Sequence, residues 1–556
     1  MAGSGLSLVR RAAEAVRRTP GWQKVVFIVA GAGTLTYACQ DNRALQICDG
    51  TGNKKKVVIL GTGWASASFL RNIDTSLYDI HVVSPRNYFT FTPLLPSVTC
   101  GTVEARSIVE PVRNIVRKRN GTFRFWEAEC FKIDPTNKKV HCRSDVGTNI
   151  DGNGEFVVDY DYLIVGVGAR PNTFNTPGVT ENCHFLKEVE DAQNIRKSVL
   201  KCFERASLPN LSEEERRKNL HFVVIGGGPT GVEFAAELHD FVNEDLAKLY
   251  PDVKKYVNIS VIEAGGHILT MFDKRITQFA EEKFKRDGID LKTNFKVVKV
   301  SDKDITMTNP ATGEIAVPYG MAVWSTGVGT RPIIMDFMKQ VGQEDRRALA
   351  TDEWLRVQGC EDVYALGDCA TIAQRKVMVC SCYSIFKTSH RITISLYGTL
   401  ELYLKSNQMK GFNDLLKDSD GNSKELKELN IEQFKKALAQ VDSQVKMLPA
   451  TAQVAAQEGS YLANCFNKMK ACEENPEGPL RIRGAGRHRF KPFRYRHLGQ
   501  FAPLGGEQTA CQLPGDWVHV GHSTQWLWYS AYARLGKAIH LWKGLQQPID
   551  SNRLIP

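Results

Sequence analysis

Two stretches of the chain share one pattern: a short unbroken apolar run, a glycine-rich turn, then apolar positions at helical spacing. The first is VVILGTGWASASF, residues 57–69, and the second is HFVVIGGGPTGVEFAAEL, starting at His221. An apolar run of this length bounded by turn residues predicts a strand buried on both faces, and the spacing after it predicts a helix. Each unit then returns to a strand. DIHVVS ends at Ser84, and VNISVIEAG places Glu263 at its end after the longer connection HDFVNEDLAKLYPDVKKY. Two strand-turn-helix-strand units in one chain, related as a loose internal repeat, are the main organisational feature.

The intervening pattern is mostly extended. FRFWEAECFKI, KVHC and YDYLIVGVGARP read as strands, with SDVGTNIDGNGEF as a polar surface hairpin or loop. LKTNFKVVKVS and MAVWSTGVG follow the second unit and lead to VYALGDCA. The pattern weakens from about residue 371 to 448, which reads as an insertion, and the last eighty residues or so are basic and aromatic. The expected division is a leader over 1–50, a first dinucleotide domain over 54–200, a second over 201–335, and a return to the first over 336–375 and 447–475. The insertion then spans 376–446 and a membrane-associating region 476–556.

Composition changes this picture little, but charge and cysteine usage narrow it. At 556 residues and 42% hydrophobic, the chain is an ordinary multi-domain globular protein. No window reaches the roughly 18 uninterrupted apolar residues of a spanning helix. The net charge of +11 suits either nucleic acid or an anionic membrane. No zinc-ligand spacing or basic-aromatic nucleic-acid module accompanies it, so the membrane is favoured and neither a metal site nor nucleic acid is expected. The fourteen cysteines are scattered, with Cys380-Ser-Cys382 the one close pair. None form the redox pair that a flavin-linked disulfide reductase carries beside its first helix. The start, with Arg10, Arg11, Arg17 and Arg18 against the single acid Glu14, has the signature of an organelle transit segment. The apolar stretch 25–38 behind it is short for a span.

The glycine motifs carry the chemistry. Gly226, Gly228 and Gly231 occupy all three fingerprint positions: a tight turn, room for a pyrophosphate, and close helix–strand packing. The helix start then offers its free amides to the phosphates. Glu263 is placed to accept both hydroxyls of an adenosine ribose and to repel a 2′-phosphate, which favours NADH over NADPH. In the first unit Gly61 and Gly63 are followed by Ser66, and the strand ends on Ser84 instead of an acid. A second dinucleotide able to take a hydride explains that relaxation, and FAD, held tightly without a covalent bond along its whole length, is the economical choice. Serine fits the third glycine position and can donate a hydrogen bond. Asp368 in VYALGDCA suits a flavin's ribityl hydroxyl or the water and magnesium near its phosphates. The candidate cofactor set adds Trp64, Pro85, Arg86, Gly166 and Gly168 for the first site, and Pro229, Thr230 and Gly327 for the second.

Taken together, GTGWASASFL, SPRNYFTFTPLLPSVTCGTVEARSIVEPVR, GGGPTGVEFAAEL, ALGDCA, ATAQVAAQ and FAPLGGEQTA resemble the type II, or alternative, rotenone-insensitive NADH:quinone oxidoreductases, most nearly the plant external mitochondrial enzymes. The resemblance runs from about 54 to 375 and from about 447 to 530. It implies an α/β fold of two Rossmann-like domains in the glutathione-reductase-like arrangement, with a C-terminal monotopic membrane region. It also implies ping-pong transfer of a hydride from NADH to FAD and of two electrons to ubiquinone, without proton pumping. The location implied is the intermembrane-space face of the inner mitochondrial membrane, and a homodimer is implied through the contacts that the family's usual C-terminal tail makes. Three residues take catalytic roles by this resemblance. Glu233 falls between nicotinamide and quinone sites, and Gln453 and Gln457, one helical turn apart, face the isoalloxazine and the quinone headgroup. The rivals are a flavin reductase for another acceptor, a sulfide:quinone oxidoreductase, and a redox-dead flavin-fold scaffold.

The sequence departs from the family in two places. A branch of the plant enzymes carries an EF-hand where this chain has its insertion, yet DSDGNSKELKEL, starting at Asp418, puts glycine fourth and ends on Leu429 where a bidentate Glu is needed. No high-affinity calcium site is expected. The resemblance holds through GDWVHVGHSTQWLWYSAYA, after which RLGKAIHLWKGLQQPIDSNRLIP replaces the expected arginine- and tryptophan-rich tail. From Trp526 to Trp542 aromatics still interleave with Arg534, Lys537, His540 and Lys543 in a pattern suited to a lipid interface.

Overall fold

The computed structural model describes residues 54–116, 121–144, 154–372, 448–474, 492–514 and 517–538. The leader, the calcium-loop candidate, the SDVGTNIDGNGEF hairpin tip and the tail beyond Ala538 lie outside these residues.

The first unit runs from β1 (Lys56–Leu60) through α1 (Trp64–Asn72) to β2 (Asp79–Ser84), then α2 (Leu95–Cys100) and β3 (Phe123–Glu127). A meander of β4 (Glu129–Asp134), β5 (Lys139–Arg143) and β6 (Glu155–Asp159) precedes β7 (Tyr162–Val165). The second unit contains β8 (His184–Phe185), α3 (Val189–Ala206), β9 (His221–Ile225), α4 (Pro229–Phe241), β10 (Asn258–Glu263) and β11 (Asp290–Thr293). Its own meander is β12 (Lys296–Val300), β13 (Asp304–Asn309) and β14 (Gly313–Pro318), followed by β15 (Met321–Trp324). The chain then returns to the first unit with β16 (Val363–Ala365) and α5 (Ala452–Glu474). It ends on a hairpin system, β17 (Gln500–Pro503), β18 (Thr509–Leu513) and β19 (Trp517–Gly521), and α6 (His522–Ala538).

The internal repeat is visible in the sheets. The first unit has an all-parallel sheet in the order β16-β7-β1-β2-β3 and the second an all-parallel sheet β8-β15-β9-β10-β11, each with an antiparallel three-stranded meander attached. β1 and β9 are central and covered on both faces, which is why both read as unbroken apolar runs. Leu60 lies opposite Val83 and Val165, and Ile225 opposite Ile262 and Trp324, so each glycine loop leaves at the carboxyl edge of its sheet, where ligands bind in open α/β folds.

Three details refine the expected elements. FRFWEAECFKI splits at buried Ala128, with β3 joining the parallel sheet and β4 the meander. LKTNFKVVKVS splits at Asn294, whose φ of +62° ends β11 before β12 begins. The second sheet also draws in His184–Phe185, paired with Val323 and Trp324, from chain before residue 201.

Candidate dinucleotide and acceptor sites

Both glycine loops are built the same way. Gly61 leaves β1 at φ +95°, and a Cβ there would stand 2.5 Å from the Gly166 carbonyl oxygen. Gly226 leaves β9 at φ +114°, so both turns require glycine. Two residues on, Gly63 and Gly228 cap α1 and α4 in extended backbone, without a side-chain cap and without an acid in the first turn. A Cβ on either would meet nothing within 4 Å. The leading amides of both helices therefore face open space, which fits the phosphates of a dinucleotide. Pro229 and Thr230 open α4, with proline where no donor is needed.

The third fingerprint position differs between the loops in an instructive way. A Cβ on Gly231 would lie 2.0 Å from the Gly226 carbonyl oxygen, so only glycine fits. In the first loop the roles are exchanged: Ser66 has its side chain and Gly166 across the loop is bare, since a Cβ there would stand 2.4 Å from Ser66 Oγ. The fit of serine at this position holds. Its hydroxyl is buried and has no hydrogen-bond partner among the described residues.

Ser84 acts within the protein. Its Oγ lies 3.2 Å from Thr62 Oγ1 and accepts from the Arg86 amide at 3.2 Å, while Thr62 donates to the Tyr88 carbonyl at 2.9 Å. The Pro85–Arg86 turn is thereby fastened to the glycine loop. The start of α3 secures the same region, with Glu188 paired to Arg86, Glu190 accepting from the Tyr88 hydroxyl at 2.6 Å, and Lys187 reaching Asp368 at 3.5 Å. Burial lowers the Arg86 pKa from its ordinary value. Trp64, the first residue of α1, donates from its indole to Thr92 at 2.9 Å and packs edge-on against Phe89. Gly168, at φ +66°, opens to free space after β7.

In the second unit Glu263 accepts from the Gly227 amide at 2.7 Å and from the Gly265 amide at 2.7 Å, one bond to each oxygen. Its carboxylate is thus fixed at the loop with lone pairs left for a ribose. Gly327 stands opposite Asn172, whose carbonyl oxygen would lie 2.6 Å from a Cβ.

The three residues expected on the acceptor side are each held within the protein. Glu233 lies on α4 one turn before Glu237, and burial first, then the Glu237 charge, hold its carboxyl well above the carboxylate range. Glu237 accepts from Ser97 at 2.8 Å and Thr102 at 3.1 Å, which fastens α4 to the α2 region. Gln453 and Gln457 do share one face of α5. Their amides are engaged with the segment before β17: Gln453 donates to the Gly499 carbonyl at 2.6 Å, and Gln457 exchanges two bonds with Arg496.

Sequence reading missed Thr62, Lys187, Glu188, Glu190 and, above all, Glu458. The Glu458 carboxyl accepts from the Gly367 amide at 2.6 Å, beside Asp368, and burial pushes it up to about 8 against that bond, with Asp368 adding to the rise. The signal available was an acid one residue after Gln457, among the small residues of the opening AQVAAQEGS. Among the described residues no cluster of three or more metal-ligating side chains stands together.

The comparisons agree with this geometry. Residues 55–384 match the family described as pyridine nucleotide-disulphide oxidoreductase. The chain is 62% identical over 546 residues, 94% of each chain, to the external alternative NAD(P)H-ubiquinone oxidoreductase B3, mitochondrial, of Arabidopsis thaliana. The chain belongs to that oxidoreductase family. It is also 34% identical to the external alternative NADH-ubiquinone oxidoreductase of Yarrowia lipolytica, over 87% of this chain and 76% of that one. Among solved structures it is similar to NDH2 of Plasmodium falciparum in complex with NADH, with a TM-score of 0.74 and 33% identity over 87% of this chain and 95% of that one. A sulfide:quinone oxidoreductase of Aquifex aeolicus, at 16% identity and a TM-score of 0.56, shares the fold alone.

Proposed function

We propose that the chain is an FAD-dependent NADH:ubiquinone oxidoreductase of mitochondria, with FAD in the first glycine loop and NADH in the second. The observation that carries this is the pair of open helix starts at Gly63 and Gly228, each at the carboxyl edge of its own parallel sheet. When bound, FAD accepts a hydride and releases two electrons to a quinone, which lets the two half-reactions proceed in turn. The chain's own residues hold and orient. Gly63 and Gly228 give the phosphates access to helix amides, Asp368 meets the ribityl chain, and Glu263 takes the adenosine ribose and disfavours a 2′-phosphate. Glu233 keeps a proton within the α4 region between donor and acceptor. Gln453 and Gln457 order the acceptor side through the segment they grip.

Attachment is peripheral in this reading. No described helix is long and apolar enough to cross a membrane, while Trp526 and Tyr529 on α6 stand exposed, Trp526 at 73%. Aromatics so placed suit the lipid interface. The intermembrane-space face of the inner membrane accords with the external enzymes among the relatives. The missing twelfth-position acid at Leu429 supports a lack of high-affinity calcium binding.

Steady-state NADH oxidation by the liposome-bound protein, with a short-chain ubiquinone varied against NADH, tests the reading. Parallel double-reciprocal lines are expected. NADH oxidation that ubiquinone does not accelerate would overturn it.

A further inference from the structure

Helix α5 serves two sides. Gln453 and Gln457 grip the segment before β17, and the next residue, Glu458, reaches the flavin-side turn Gly367–Cys369. Glu458 is 4% exposed, and its Oε2 lies 2.6 Å from the Gly367 amide, the residue immediately before Asp368. The turn has little freedom: Gly367 sits at φ +70°, and a Cβ on it would lie 3.3 Å from the Ala455 Cβ. Nor can the helix back away, because Gly459 is pressed against α1 so closely that a Cβ there would stand 2.1 Å from the Ala65 carbonyl oxygen. A buried acid is costly unless its bonds are made, and this one spends an oxygen on a single backbone amide. Removing that oxygen leaves the part-buried Gly367 amide without this acceptor, which costs more than an ordinary exchange of bonds with water.

We propose that Glu458 is a positioning residue for the cofactor: it fixes the Gly367–Asp368 turn from the acceptor-side helix and so sets how firmly FAD is held. The inference rests on the assignment of FAD to the first loop and Asp368. It ties cofactor retention to the helix that also carries Gln453 and Gln457.

The test follows FAD release from the full-length holoenzyme on dilution, read as the recovery of free flavin fluorescence. Glu458→Gln keeps an oxygen at the right reach and should stay within about threefold of the parent rate. Glu458→Leu removes the oxygen, and Glu458→Asp withdraws it by one methylene, so both should speed release by about tenfold or more. In an Asp368→Ala background, Glu458→Leu should add less than about threefold, because the two act through one turn. If Glu458→Leu fails to fold, the Gln and Asp variants still decide: release fast in Gln and slow in Asp overturns the proposal, as does full additivity with Asp368→Ala. Bleaching of the parent by NADH is measured alongside. Unchanged release in every variant with normal bleaching removes the role of Glu458 and leaves the function standing, whereas a parent that NADH never bleaches removes the function.

Discussion

Gln457 and Arg496 are joined as two strands would be: the glutamine amide donates to the Arg496 carbonyl at 2.8 Å, and its oxygen accepts from the Arg496 amide at 2.9 Å. A side chain that satisfies both polar groups of one backbone residue fixes that residue's position and direction. With Gln453 bonded to Gly499, Leu498 and Tyr495, the two glutamines hold the stretch from 495 to 499 across the end of α5.

Gln457→Ala should therefore loosen the acceptor side and spare the donor side. Reoxidation by a short-chain quinone is expected to slow by about tenfold, in line with two lost bonds, while flavin reduction by NADH keeps its rate. Stopped-flow traces of the two half-reactions separate these effects.

The two glycine cradles can be blocked one at a time. Gly63 and Gly228 have extended backbone that any residue adopts, and open space around the absent Cβ. Gly63→Val should thus fold but purify without flavin, and Gly228→Val should purify yellow but bind NADH at least about tenfold more weakly. Gly231→Ala differs, because its Cβ would strike the Gly226 carbonyl. It should lower the melting temperature by several degrees, in keeping with overpacking at about 1–3 kcal/mol.

In the proposed reading, Glu263 sets the choice between the two nicotinamide cofactors. In Glu263→Gln the charge that repels a 2′-phosphate is gone, and the Gly227 or Gly265 amide loses its acceptor. The ratio of kcat/KM for NADH to that for NADPH should fall by about tenfold or more, as one charge-assisted contact predicts. Parallel assays with the two cofactors at one ionic strength measure it.

Glu458 also predicts a pH dependence of stability. Its carboxyl is raised from 4.5 to about 8 in the folded protein, so the folded state binds a proton that the unfolded state has released. Its contribution is therefore lost as pH rises from about 4.5, and the loss is complete above about 8. Glu458→Gln removes this dependence. Its melting temperature relative to the parent, at saturating FAD, should climb between pH 5 and 9 and level off above that.

Exposed Trp526 and Tyr529 should matter chiefly for the membrane. Trp526→Ser with Tyr529→Ser is expected to weaken binding to anionic liposomes by about tenfold, the effect of withdrawing two aromatics from an interface. Trp526→Ser alone leaves the melting temperature unchanged, since it is Tyr529 whose ring packs on the buried Trp528. Co-sedimentation with vesicles checks this.

The parts of this arrangement that were legible in the sequence are those fixed by local geometry. Both central strands, both glycine loops, Glu263 at its strand end and Gln453 with Gln457 on one helix face follow from spacing alone. Ser66 shows where local reading stops, because its fit depends on Gly166, a hundred residues away, being bare. The split of FRFWEAECFKI was hidden because both halves are β patterns and only pairing partners distinguish them. Glu458 was missed for the same reason, since it acts on backbone brought close by the fold, and so was the pairing of Glu188 with Arg86, although Glu188 and Asp191 also form a local capping box at the start of α3.

The most direct measurement is anaerobic. Protein purified with liposomes is mixed with NADH, the flavin absorbance is followed, and a short-chain ubiquinone is then added. Rapid bleaching followed by rapid recovery is predicted, since the two cradles place a hydride donor and its acceptor in one chain. A yellow protein that NADH leaves unbleached would contradict the account.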